Sequence, residues 1–227
     1  VSVQEYASEH LRTAARYPGS GPTALLAAEV RHGAYFSGLD EKAAIADGCP
    51  ELDNLVVACR RAAARGDIDM AVRSLEGAWA GLRLRGPFRV GVELASVVRA
   101  TPGIGSAASA RVDYVAGRAL ESAGKLPEAH LQFGASLAGA REVGDRRCEG
   151  RALVSLGFLD TEGGQLESAR ANLKAALAIA RELKDRTMQS DAHNNLGTLE
   201  SFQGQPEQAL AHYEAALALA REAGDRH

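Results

Sequence analysis

The sequence predicts an all-α protein of antiparallel helical hairpins stacked as a solenoid, preceded by additional helices. Three observations predict it. A forty-residue period runs without insertion through 107–146, 147–186 and 187–226, and such a period is the mark of a repeat architecture. Each unit has two stretches with apolar residues at helical spacing, split by a glycine. The composition, 46% hydrophobic but only 5% aromatic, suits helices that pack closely through small side chains.

In chain order, residues 1–50 read as an N-terminal helical linker segment. Within it YPGSGP (17–22) is a loop and TALLAAEVRHGAYFSGL (23–39) is a helix. Residues 51–106 read as a degenerate hairpin region. ELDNLVVACRRAAARGD (51–67) is a helix ending at Gly66, and 68–86 with 87–100 form a hairpin turning at Gly86, with Trp79 in the place that Gly117 takes later. TPGIGS (101–106) links this region to the regular repeats of 107–227.

In those repeats Gly117, Gly157 and Gly197 align, as do the turn glycines Gly124, Gly164 and Gly204. Ala129, Ala169 and Ala209 follow, then Phe133, Leu173 and Tyr213, then Leu137, Leu177 and Leu217. A minimal side chain at Gly157 or Ala169 lets the two helices of a hairpin approach, while Leu173 and Leu177 fill the seam. Glycine costs a helix about 1 kcal/mol relative to alanine, so contact has to compensate. Helices of about 17 residues would be about 26 Å long, and neither could cover its apolar face without its partner and the next repeat. Gly144 and Gly224 suit left-handed helix ends, and Asp145, Asp185 and Asp225 suit the N-caps that follow. Lys184 breaks the glycine column, which predicts local strain or a different cap.

LVSLG, HNNLG, the GQxExA turns at 164–169 and 204–209, and the Ala-Leu pairs at 176–177 and 216–217 resemble the tetratricopeptide repeat (TPR) in the forty-residue form of kinesin light chains. The resemblance implies a right-handed TPR solenoid in which the first helix of each hairpin lines the concave face. HEAT and armadillo repeats, of similar length, do not account for the glycine and alanine columns. Upstream, VQEYASEHL (3–11), EVRHGAYFSGL (29–39) and ELDNLVVACRRAAARGD resemble, in that order, the stretch that joins the ATPase core to the repeats in STAND-type signal-transduction ATPases, which are common among bacterial transcriptional regulators. That resemblance implies a nucleotide-binding module ahead of Val1, with Val1 to Leu11 the tail of a winged helix.

Little in the sequence points to chemistry. With 26 Lys+Arg against 29 Asp+Glu, a net charge of −3 gives no global attraction for nucleic acid. No apolar run is long enough to span a membrane, and no signal-peptide layout is present, so a cytoplasmic setting is expected. Cys49, Cys59 and Cys148 lack CxxC spacing and read as core residues. No GxxxxGK[ST] occurs; GSGPT (19–23) lacks the lysine, and RGD (65–67) reads as the end of one helix and the start of the next. His130, His193 and His212 lie on different helices and form no metal pattern, and Asp160 and Glu162 read as turn charges serving solubility and capping. No nucleophile with a base is visible, so neither an enzyme nor a cofactor is expected.

What remains is a surface. A helical stripe on the first helices holds Arg73, Arg83, Arg111, Tyr114, Arg118, Arg151, Phe158, Asp191, Asn194, Asn195, Thr198 and Ser201, neighbours being three or four residues apart. Arginine suits carboxylate or phosphate, and asparagine can pair with the backbone of an extended peptide. The expected partner is a protein, peptide or acidic ligand, or another part of the same protein, with no direct contact to nucleic acid or membrane. A free-standing adaptor without a nucleotide switch is the alternative to a STAND-type regulator. The ending LALAREAGDRH repeats LAGAREVGDRR and LAIARELKDRT, so it reads as a cut through a longer array whose last apolar face, on 206–223, is open to self-association.

Overall fold

A computed structural model describes residues 20–223. The expectations for 3–11, for 17–19, for Gly224 and Asp225, and for His227 lie outside the described residues. Among the described residues every regular element is helical. The chain divides into two compact units, one through Ile104 and one from Gly105.

The first unit contains α1 (Pro22–Ser37), α2 (Glu41–Ile45), a 3₁₀ turn (Ala46–Gly48), α3 (Leu52–Arg65), α4 (Ile68–Arg85) and α5 (Phe88–Arg99). Helix α3 ends at Gly66, which sits at φ 74, and the Asp67 carboxylate then accepts from the Met70 amide at 3.1 Å to start α4. The RGD triplet is thus a helix end followed by a helix start. Residues 40–50 hold α2 and a turn in which Asp47 and Cys49 take left-handed backbone, at φ 49 and 60. Trp79 is buried on α4 with its ring 6.4 Å from Phe88, so here a large indole fills the seam that glycine opens in the regular repeats.

The second unit contains three hairpins: α6 (Ser106–Ser122) with α7 (Leu126–Val143), α8 (Arg146–Glu162) with α9 (Leu166–Glu182), and α10 (Arg186–Phe202) with α11 (Pro206–Ala223). Each regular helix is 17 or 18 residues long. The helices pair within hairpins, α7 packs on α8 and α9 on α10, and α8 lies beside both α6 and α10. A Cβ at Gly157 would fall 2.5 Å from Leu173 Cγ, so the absence of a side chain sets the spacing of α8 and α9. Gly197 plays the same part against the Tyr213 ring.

Stacking supplies the core. Leu173 and Leu177 of α9 are buried against Ala192, Leu196 and Leu199 of α10, so the second helix of one hairpin is covered by the first helix of the next. The Asp145 and Asp185 carboxylates accept from the amides of Cys148 and Met188 at 2.9 and 3.0 Å, as the sequence predicts for N-caps. Gly144 ends α7 at φ 71, and Lys184 takes the same left-handed conformation at φ 54, which is the strain that its place in the glycine column predicts. All three cysteines are buried and unbridged.

Candidate functional site

On the first helices of the three hairpins, the structure gathers part of the stripe around Tyr114. Arg118, one turn along α6, donates weakly to the Tyr114 hydroxyl at 3.5 Å. From α8, the Arg151 guanidinium lies over the Tyr114 ring, 5.6 Å from its centroid, a cation–π arrangement worth about 0.5–1 kcal/mol at an exposed site. The back of the cluster is fixed by Phe133, whose ring centre is 5.8 Å from that of Tyr114. Tyr114 is half-buried and Arg151 exposed, so the cation covers an aromatic face that the fold has already positioned.

Arg118 is itself held. Its Nε is 3.2 Å from a Glu121 carboxylate oxygen. Burial works against its charge, but Tyr114, Glu121 and, from α10, Asp191 outweigh burial and raise its pKa. Burial also pushes the Glu121 carboxyl up from its ordinary value, against the pull of Arg118. Arg118 therefore acts as a fixed support for the tyrosine, and the more exposed Arg151 is the cation presented to solvent.

The other predicted residues are placed as follows. Arg111 and Phe158 are half-buried on α6 and α8. On α10, Asp191, Asn194 and Ser201 are exposed and Asn195 is half-buried. The Thr198 hydroxyl donates to the Asn194 carbonyl at 3.2 Å and accepts from the Tyr213 hydroxyl at 3.4 Å, so this end of the stripe is tied to α11. Arg73 and Arg83 belong to the first unit, where Arg73 pairs with Asp69 at 3.1 Å and Arg83 with Glu41 at 2.6 Å.

One sequence expectation is corrected. Asp160 is not a solvated turn charge: it is 3% exposed. Its carboxylate accepts from Ser168 Oγ at 2.6 Å, Asn172 Nδ2 at 2.9 Å and His130 Nε2 at 2.9 Å. The reason is the stack: α7 of the preceding hairpin covers the end of α8, and a buried carboxylate has to be satisfied by neighbours. One period on, Glu200 is equally buried and paired with Arg170. The signal was present in the alignment, since 130 and 170 carry His and Arg while 160 and 200 carry Asp and Glu. It was invisible without knowing that these columns face each other across a repeat boundary.

The structure also brings His193 of α10 and His212 of α11 together, with 2.9 Å between their Nδ1 atoms. Among the described residues no group of three or more His, Cys, Asp or Glu could hold a metal ion, and no described helix is long and apolar enough to cross a membrane. An open cleft of about 340 Å³ in the first unit is lined by residues that include Cys49, Asp53 and Arg85.

The repeat geometry now has a counterpart in known proteins. Residues 148–222 match the tetratricopeptide repeat. The chain is similar in structure to BtubC (BKLC) from P. vanneervenii, with a TM-score of 0.65 at 15% identity over 100% of this chain and 94% of that one. It is also similar to MamA, with a TM-score of 0.53 at 14% identity over 80% of this chain and 99% of that one. At such identities the likeness is one of fold. No curated protein matches the chain in sequence. The tetratricopeptide match spans α8 to α11 nearly in full, and α6 and α7 continue the same forty-residue register ahead of it.

Proposed function

We propose that the three hairpins of 106–223 form a non-catalytic protein-interaction module that holds an extended acidic peptide segment along the first helices of its tetratricopeptide-type repeats. The observation that carries this reading is Arg151 over Tyr114. It is a planar cation on an aromatic support, contributed by two successive hairpins and open to solvent. Such a platform takes a carboxylate through its guanidinium edge and apolar atoms against its ring. Asn194 and Ser201 on α10 extend the face with neutral hydrogen-bonding groups suited to a peptide backbone.

The test is binding of fluorescent twelve-residue peptides, one set rich in Glu and one rich in Lys, to the full chain. Acidic peptides are expected to bind, with at least tenfold weaker affinity for Arg151→Glu and an unchanged melting temperature. Equal affinity for both sets, or an Arg151→Glu variant that binds as well as the wild type, overturns the reading.

The larger setting we propose is a cytoplasmic STAND-type regulator, in which occupancy of this face alters contacts with a nucleotide-binding module. Support comes from the ordered resemblance of 3–11, 29–39 and 51–67, of which the last two fall on α1 and α3. Reading the coding sequence ahead of Val1 tests it. A P-loop module encoded there supports the regulator, and a start codon close to Val1 replaces it with the free-standing adaptor.

A further inference from the structure

We infer that the acidic segment held along the first helices carries a basic residue at one end, in the register acidic-x-x-acidic-x-x-basic, read by Arg111, Arg151 and Asp191. This register rests on the peptide-binding reading above, and it sharpens that reading from net charge to charge order.

The three residues occupy one column of the forty-residue repeat, on α6, α8 and α10 in turn. Since α8 packs beside both α6 and α10, the column forms a row across the helices. That row runs positive, positive, negative. Arg111 is half-buried, and Arg151 and Asp191 are exposed. Neither the helix caps nor the joints between hairpins require the change of sign. Helix starts use Asp145 and Asp185. The joints use His130 with Asp160 and Arg170 with Glu200, and all of these lie in other columns.

Asp191 belongs to the same side of the array as the cationic cluster. Its charge acts on Arg118 of α6, although α8 lies between the two helices, and helps to keep that guanidinium protonated. The acid on α10 and the cations of α6 and α8 therefore face one groove, and a ligand lying in it meets both signs.

Spacing sets the register. Packed helices lie about 8–10 Å apart, and an extended chain advances about 3.3–3.6 Å per residue. A segment crossing the row therefore passes from one helix to the next about every third residue. Carboxylates in the first two places meet the guanidinium groups of Arg111 and Arg151, which suit them in shape and charge. In the third place a lysine or arginine meets Asp191, whereas another carboxylate would meet a like charge, and that repulsion is what discriminates. Val154 and Phe158 follow Arg151 on the same face of α8 and are half-buried, so they offer apolar surface to the residues between the charges.

The test measures binding of three fluorescent peptides to the full chain: Glu-x-x-Glu-x-x-Lys, the reversed order Lys-x-x-Glu-x-x-Glu, and Glu-x-x-Glu-x-x-Glu, with x alanine. The better of the two mixed peptides is expected to bind about fivefold tighter than the all-glutamate peptide, the scale of an exposed ion pair. Rising salt should shrink that advantage. Asp191→Lys is expected to reverse the ranking and Asp191→Asn to level it, with circular dichroism showing that both variants fold. If Asp191→Lys unfolds, Asp191→Asn carries the test. An all-glutamate peptide that binds the wild type as tightly as both mixed peptides, or a ranking that Asp191→Asn leaves unchanged, overturns the charge order. If acidic peptides then still bind through Arg151, the wider reading stands without it; if Arg151→Glu has no effect on any peptide, both fall.

Discussion

Lys184 is the residue at which local preference and fold disagree most openly. It ends the α9 hairpin at φ 54, where Gly144 performs the same task at φ 71. A side chain in left-handed backbone costs about 1–2 kcal/mol. Replacing Lys184 by glycine removes that cost but adds freedom to the unfolded chain, so a net gain of about 1 kcal/mol or less is expected, read from the urea midpoint at constant slope. Gly157 presents the opposite case. Alanine is the better helix former by about 1 kcal/mol, but its Cβ would meet Leu173 Cγ at 2.5 Å, and Leu173 is fully buried. Overpacking of about 1–3 kcal/mol should outweigh the propensity, and Gly157→Ala is expected to melt at a lower temperature than the wild type.

Between elements, buried carboxylates lock each second helix to the next first helix. Arg170 meets Glu200 and Gln203 across the α9–α10 boundary, as His130 meets Asp160 across α7–α8. The Arg170 hydrogen bond, with its charge, holds the Glu200 carboxyl below its ordinary value despite burial. A carboxyl depressed in the folded state contributes stability that is present above the unfolded value, about 4.3, and is lost as pH falls through the lower folded value. Acidification from pH 5 toward pH 3 should therefore destabilise the wild type more steeply than Glu200→Gln. Equal slopes in acid titrations of the two would contradict the lock. These pairs were legible only as a column of His130 and Arg170 beside a column of Asp160 and Glu200. Which column faced which depended on how α9 sits on α10.

At the scale of the whole second unit, stability comes from neighbour contacts repeated along the array. Leu196 lies in one buried cluster with Leu173 and Leu177 of the preceding hairpin. Leu196→Ala should cost about 2–5 kcal/mol, and hydrogen exchange should rise in both α9 and α10. Exchange that rises in α10 alone would show hairpins folding separately. The same column logic marks the α11 face: Leu177 is 7% exposed beneath α10, whereas its counterpart Leu217 is 51% exposed. Of the candidate stripe, the sequence placed residues on shared helix faces through spacing. Spacing also puts Tyr114 and Glu121 within reach of Arg118 on one helix, but it could not say that Thr198 would be tied to Tyr213, because that contact depends on a second helix.

Periodicity, glycine columns and capping aspartates determined the helices, their turns and their hairpin order, because these are local: a left-handed turn favours glycine, a helix start favours an acceptor, and a close seam favours a small residue every period. The tertiary structure alone decided which side chains meet across repeat boundaries and within the hairpins. It buried Asp160 among three donors, set Arg151 over Tyr114, and brought His193 to His212. Those meetings turn on how one helix sits against another, and no spacing along one chain encodes them in readable form.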